Sequence, residues 1–144
     1  MTSWSTDELA AIAASDDLHV SPLRDDGVTH GTPTWIWSVV VDGDLYVRAY
    51  NGLASRWYQA ALRQRGGRIR VAGMTRDVSF ESAANALNDR VDDAYGIKYR
   101  NSWYLSSMTS RQARYATVKI SPCGATAENA ANVTTGMTQG KPDD

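Results

Sequence analysis

Between Leu18 and Ile120 the apolar positions switch several times between the two-residue period of a strand and the three-to-four-residue period of a helix. The longest apolar run, Thr34–Val41 (TWIWSVVV), leads through Asp42-Gly43 into Leu45–Tyr50 (LYVRAY). This pattern predicts two buried strands joined by a tight turn, since Asp-Gly readily takes the left-handed conformations of a two-residue hairpin. On the first strand Trp35, Trp37, Val39 and Val41 are expected to point one way, and Thr34, Ile36, Ser38 and Val40 the other. Almost every position is apolar, so both faces are expected to be covered. On the second strand Leu45, Val47 and Ala49 share a face, and Tyr46, Arg48 and Tyr50 share the opposite one.

Around this pair the other elements follow from local signals. Ser5-Thr6-Asp7-Glu8 has the form of a capping box and opens a short helix carrying Leu9, Ile12 and Ala13. Leu18–Leu23 alternates as a strand, Arg24-Asp25-Asp26-Gly27 is a turn, and residues 18–32 are expected to form a hairpin. Ser55–Arg65 predicts a helix ended at Gly66-Gly67 by a residue at positive φ. Ile69 and Val71 alternate with Arg68 and Arg70, and Val78 and Phe80 with Asp77, Ser79 and Glu81; a turn is expected at Gly73-Met74 between them. Leu87, Val91, Ala94 and Tyr95 define an amphipathic helix with Asp89, Asp92 and Asp93 on its wet side. Asn101–Ser110 is a polar loop, and Tyr115–Ile120 a last strand with Ala116, Val118 and Ile120 inward. Residues 1–120 are thus expected to form a single domain, a small antiparallel barrel with few helices. From Ser121 onward the periodicity is lost, and residues 121–144 are expected to be a disordered tail.

Composition narrows the classes of function. The chain has 144 residues, 15 basic and 16 acidic side chains and a formal net charge of -1, which gives no reason to expect a nucleic-acid partner or an anionic membrane. A chain of this size can bury a core without a metal or disulfide staple. The single cysteine, Cys123, excludes an intramolecular disulfide. No apolar run is long enough for a membrane span, and the N-terminal residues lack a signal-peptide pattern, so a cytoplasmic location is expected. Aromatic usage is lopsided, with 5 Trp and 7 Tyr against 1 Phe, and hints at ring walls around a pocket with polar edges.

Candidate chemistry concentrates where the Arg48 strand runs into the helix at Ser55. Arg48 lies between Tyr46 and Tyr50, and a strand end that carries a cation and meets a helix N-terminus is a plausible seat for an anion. It reads equally as a cation stacked on aromatic rings. Ser55 is expected to cap the helix, which still leaves amides at its mouth. His19 and His30 lie on flanking strands of one predicted hairpin, so their side chains can converge; without a neighbouring Cys or carboxylate pair they make a poor metal set, and no metal is expected. His30 is a candidate general base. Asp25-Asp26 is assigned to a turn and Asp92-Asp93 to a solvated helix face, while Cys123 has no activating base nearby in sequence.

Thr32-Pro33-Thr34-Trp35, the run VVVDGDLYVRAY, and then SRWYQAAL and GGRIRV resemble the split β-barrel flavin and deazaflavin proteins, among them the deazaflavin-dependent nitroreductases. The stretch from about Leu18 to Ile120 also resembles a bacterial family known as domain of unknown function 2255. The resemblance implies a six-stranded antiparallel split β-barrel with three short helices, a homodimer, and a cleft for FMN or a deazaflavin at the dimer seam. It implies a cofactor phosphate near Arg48, Tyr50, Ser55, Arg56 and Trp57, a ring near Thr34, Trp35 and Ile36, and substrate-facing tyrosines at Tyr95 and Tyr99. The nitroreductase pattern has Lys and Pro where this chain has Leu53 and Ser55, which leaves Arg56 as the replacement charge.

Three functions follow. The first is an oxidoreductase that uses a flavin or deazaflavin to reduce a small organic substrate. The second is a cofactor-free isomerase, cyclase or hydrolase in the same cleft, for which the missing lysine argues. The third is a small-molecule-binding protein without chemistry.

Overall fold

A computed structural model describes residues 3–49, 52–83, 85–100 and 109–123. The elements in chain order are α1 (Thr6–Ala13), β1 (His19–Pro22), β2 (Thr34–Trp35), β3 (Ser38–Val41), β4 (Asp44–Arg48), a 3-10 turn (Gly52–Ala54), α2 (Arg56–Gln64), β5 (Gly66–Val71), β6 (Met74–Ser82), a second 3-10 turn (Asn85–Leu87), α3 (Asn88–Lys98), α4 (Arg111–Tyr115) and β7 (Thr117–Pro122). The strands form one antiparallel sheet in the order β2-β1-β5-β6-β7-β4-β3. The fold is mainly β with helices, a curled half-barrel of the split-barrel kind with seven strands rather than six.

The extra strand arises from a bend. Thr34–Val41 is not one strand: it breaks at Ile36-Trp37, and its halves β2 and β3 sit at opposite ends of the sheet order. Trp35 and Ser38 are three Cα–Cα steps apart, which holds the two edges within about 11 Å. Chain continuity thus forces the sheet to curl on itself.

Local chemistry explains the turns. Asp42 and Gly43 have φ of 53° and 83°, and Ala72 and Gly73 have 51° and 77°, so both two-residue hairpins use left-handed pairs. The Asp42-Gly43 turn lies where the pattern predicts it; the second turn falls one residue earlier than expected, and Met74 already belongs to β6. The left-handed residue that ends α2 is Arg65 (φ 61°) rather than a glycine. Gly66 and Gly67 instead open β5, and Gly67 is needed for close approach. A Cβ there would stand 2.5 Å from the Ser21 carbonyl oxygen and 2.7 Å from Pro22 Cα, both backbone atoms.

The sheet carries apolar side chains on both faces. Inside the curl, Leu45, Val47 and Ala49 of the β4 segment meet Val20, Ile69, Phe80, Val118 and Ile120, closed by Ile12 of α1 and by Tyr58 and Ala61 of α2. The Trp4 indole N–H donates to the Ile120 carbonyl at 2.9 Å and ties the N-terminal segment to β7. Outside the β3–β4 edge, Trp37, Val39, Val41 and Tyr46 pack under Val91 and Tyr95 of α3 and Tyr99 at its C-cap. The capping box at Ser5 and Glu8 is present with both of its hydrogen bonds. The 109–116 segment, expected as loop and strand start, contains helix α4, capped by the Ser110 hydroxyl accepting from the Ala113 amide. No helix among the described residues is long and apolar enough to cross a membrane. Ser121 and Pro122, expected to begin the disordered tail, complete β7 by pairing with Ser79 and Val78, and the residues beyond Cys123 lie outside the described residues.

Gly67→Ala is expected to destabilise the fold by about 1–3 kcal/mol, because backbone must move to admit the methyl group. Urea denaturation should show a lower midpoint with an unchanged slope.

Candidate functional site

The residues singled out by sequence separate into three places. The first is the layer between β4 and α3. Arg48 faces Thr117 across the β4–β7 ladder, and its side chain is 0% exposed. Its Nε donates to the Thr117 hydroxyl at 2.9 Å and an Nη to the Asn88 carbonyl at 3.1 Å, while the other Nη pairs with the Asp92 carboxylate. The guanidinium carbon lies 5.5 Å from the centre of the Tyr95 ring. Asp92 in turn lies 3.4 Å from Arg114 Nε, and Arg114 also pairs with Asp89 at 2.6 Å. The expected open anion seat at Arg48 is therefore filled by the protein's own carboxylate. Asp92, expected on the wet side of its helix, is half-buried and pairs with Arg48 on one side and Arg114 of α4 on the other, since a buried guanidinium needs a matching charge.

Tyr95 and Tyr99 belong to the same layer. The Tyr95 hydroxyl donates to the Trp37 carbonyl at 2.9 Å. Tyr99 accepts from the Ser38 amide at 3.2 Å and reaches the Ser38 carbonyl at 3.3 Å, and its ring stacks on Trp37 at 4.0 Å. In a hairpin with a two-residue turn, hydrogen-bonded pairs alternate outward from the turn. Ser38, opposite Val47, therefore points its backbone groups away from β4 toward the open edge. The tyrosines satisfy the backbone at the bend, and their hydroxyls are committed to it rather than aimed at a substrate. Burial raises both phenols, Tyr99 to about 12. Lys98 adds a donor to Ser38 at 2.8 Å and to Ile12 at 3.4 Å, joining the end of α1 to this edge, and burial lowers its ammonium to about 8.

The second place is the mouth of α2. Ser55 occupies the N-cap with extended backbone, yet its hydroxyl makes no capping hydrogen bond. The first-turn amides have no side-chain cap there. Arg56 is exposed and has no ion pair or hydrogen bond among the described residues. Trp57 packs partly against the interior core and meets Tyr58 edge to face at 6.3 Å. Tyr50 lies outside the described residues. The Gly52–Ala54 turn that leads into α2 packs against α4, and both carry an exposed apolar side chain, Leu53 and Tyr115.

The third place is β2. Thr34 pairs with Val20, an interior residue, and Trp35 pairs with His19, so Thr34 and Trp35 project to opposite faces. A single ring cannot lie against both. Trp35 is 54% exposed, while Ile36 joins the interior core and Trp37 the α3 layer. His30 bridges Leu23, four positions beyond His19 along β1, so the two histidines stand about 13 Å apart along the strand and do not converge. Sequence reasoning missed Asp92, Asn88 and Thr117 as partners of Arg48, and the Lys98 contacts, because all rest on pairings far apart in the chain.

The geometry defines the class as an antiparallel split-barrel protein with a helix-covered edge. The model of a family described as "Uncharacterized protein conserved in bacteria (DUF2255)" matches residues 8–120, and the chain belongs to this family. The fold is similar to the crystal structure of the conserved hypothetical protein Rv2991 from Mycobacterium tuberculosis, with a TM-score of 0.50 and 17% identity over 85% of this chain and 81% of that one. No curated protein matches the sequence.

Two outcomes follow from the buried layer. Asp92→Ala strands the Arg48 charge and is expected to cost about 3–5 kcal/mol in urea denaturation, with Arg48→Met/Asp92→Leu recovering much of the loss. Lys98 has its folded-state affinity for protons lowered, to about 8 from 10.5, so the unfolded chain binds more protons in that window and stability rises with pH there. Measured as wild type minus Lys98→Met, the stability difference should increase from pH 8 to 10.5 and be flat below pH 8; a flat profile throughout would contradict the buried ammonium.

Proposed function

We propose that this protein is a split-barrel oxidoreductase that holds a phosphorylated flavin or deazaflavin and reduces a small organic substrate. The observation that carries the reading is the mouth of α2, where an N-cap without a side-chain hydrogen bond adjoins an exposed Arg56 that has no ion pair among the described residues. The resemblance to flavin and deazaflavin barrels implies a phosphate at this place, and a helix mouth favours negative charge. In this reading Ser55 and Arg56 hold the phosphate, with no help from Arg48. The ring is placed at the rim of the interior side of β2, beside the half-buried Thr34, because Ile36 is already buried in the packed interior cluster. The bound group would supply hydride chemistry, and the chain would supply the seat and the wall. Leu53 and Tyr115, exposed beside the α2 mouth, fit a seam with a second copy of the chain that closes the cleft.

A second reading, a small-molecule-binding protein or enzyme without cofactor, is favoured by one observation. The buried cation of the barrel wall is already matched by Asp92.

The purified protein is expected to show flavin or deazaflavin absorbance, or to bind FMN or a deazaflavin on titration. Arg56→Ala should weaken that binding about tenfold, the size of one charge-assisted contact. A colourless protein that binds neither FMN, FAD nor deazaflavin overturns the reading in favour of the second.

A further inference from the structure

A row of side chains runs across the outer face of the sheet, on the side of β2 that the proposed cofactor ring does not use. His19 stands directly opposite Trp35 of β2 on one side and Arg70 of β5 on the other. Residues directly opposite in a ladder share a face, so indole, imidazole and guanidinium lie in line across three strands. Strands are spaced about 4.8 Å apart, and the row spans roughly 10 Å.

Two of the three side chains are held in place. The Trp35 indole N–H donates to the Asp16 carbonyl at 2.5 Å. His19 Nδ1 lies 2.8 Å from the Asp17 carbonyl. A carbonyl only accepts, so Nδ1 carries the proton, and in the neutral ring Nε2 keeps its lone pair. Asp17 accepts from the Ser15 hydroxyl and, at 3.0 Å, from the Ala72 amide. Arg70 is exposed and has no hydrogen bond or ion pair among the described residues, whereas its strand neighbour Arg68 pairs with Asp77 at 3.1 Å. The indole, at the end of the row, remains 54% exposed.

We propose that this row is a binding site for an aryl-amide carboxylate, an elongated anion with an aromatic ring at one end, an N–H in the middle and a carboxylate at the other. The ring lies on Trp35, the N–H donates to His19 Nε2, and the carboxylate takes the Arg70 fork. The order of the three groups and the span of the row set this class, and ring immobilisation by the Asp16 and Asp17 carbonyls lowers the ordering cost of binding. The site is independent of the α2 mouth and of any cofactor there.

The test uses the full chain and N-benzoylglycinate, followed by amide shifts in two-dimensional NMR. Saturable shifts are expected at and around His19, Trp35 and Arg70. Arg70→Ala should weaken binding at least about tenfold, and so should removal of the charge (N-benzoylglycinamide) or of the ring (N-acetylglycinate). His19, Trp35 and Arg70 lie on a solvent-facing surface, so the variant is expected to keep the wild-type spectrum elsewhere. The proposal is overturned if no saturable shift occurs up to about 10 mM ligand, a free energy too small to mark a built site. It is equally overturned if the shifts fall elsewhere, survive Arg70→Ala, or are matched by the uncharged amide.

Discussion

One chain segment supplies both edges of the sheet, and most of the architecture answers to that constraint. Thr34–Val41 bends at Ile36-Trp37, so β2 and β3 close the curl from opposite ends of the strand order. A bend in a buried strand leaves backbone groups without ladder partners, and these need donors and acceptors from elsewhere. Tyr95 and Lys98 of α3, with Tyr99 at its C-cap, supply them at Trp37 and Ser38. The helix is thereby fixed over the β3–β4 edge, which would otherwise be open to pairing with another chain.

The buried guanidinium follows from the same arrangement. With α3 laid over β4, the outward face of that strand becomes a second interior, and Arg48 is enclosed in it. A charge in that position requires compensation, and Asp92 and Asn88 of α3 and Thr117 of β7 provide it. The pair therefore locks α3 and α4 to the β4–β7 seam. Through α4 it also supports the Gly52–Ala54 turn, and so sets where the mouth of α2 stands.

The consequence for function is a division of labour. The aromatic and cationic residues of the α3 layer hold the barrel, and the groups free to meet a ligand lie at its surfaces. One such place is the α2 mouth with Ser55 and Arg56; another is the outer row of Trp35, His19 and Arg70. The first belongs to a helix that packs on the interior cluster and the second to the outer face of the sheet, so they are separate places on the fold.

Local features were legible in the sequence. The capping box at Ser5, the Asp42-Gly43 hairpin, helices at Ser55 and Leu87, and the inward set Leu45, Val47 and Ala49 all follow from short-range chemistry, and the structure has each of them. Class and approximate strand count follow from the same periodicity. The bend at Ile36-Trp37 was not legible, because an all-apolar run looks the same whether it is one strand or two. Nor were the roles of Tyr95, Tyr99 and Arg48, since alternation says which face a residue takes and not what covers that face. The tertiary structure decided that α3 lies there, and with it whether Arg48 meets solvent, a ligand or Asp92. It also placed Trp35, His19 and Arg70 in one row, since strand register between segments 16 and 51 residues apart is set by packing of the whole sheet rather than by any local preference.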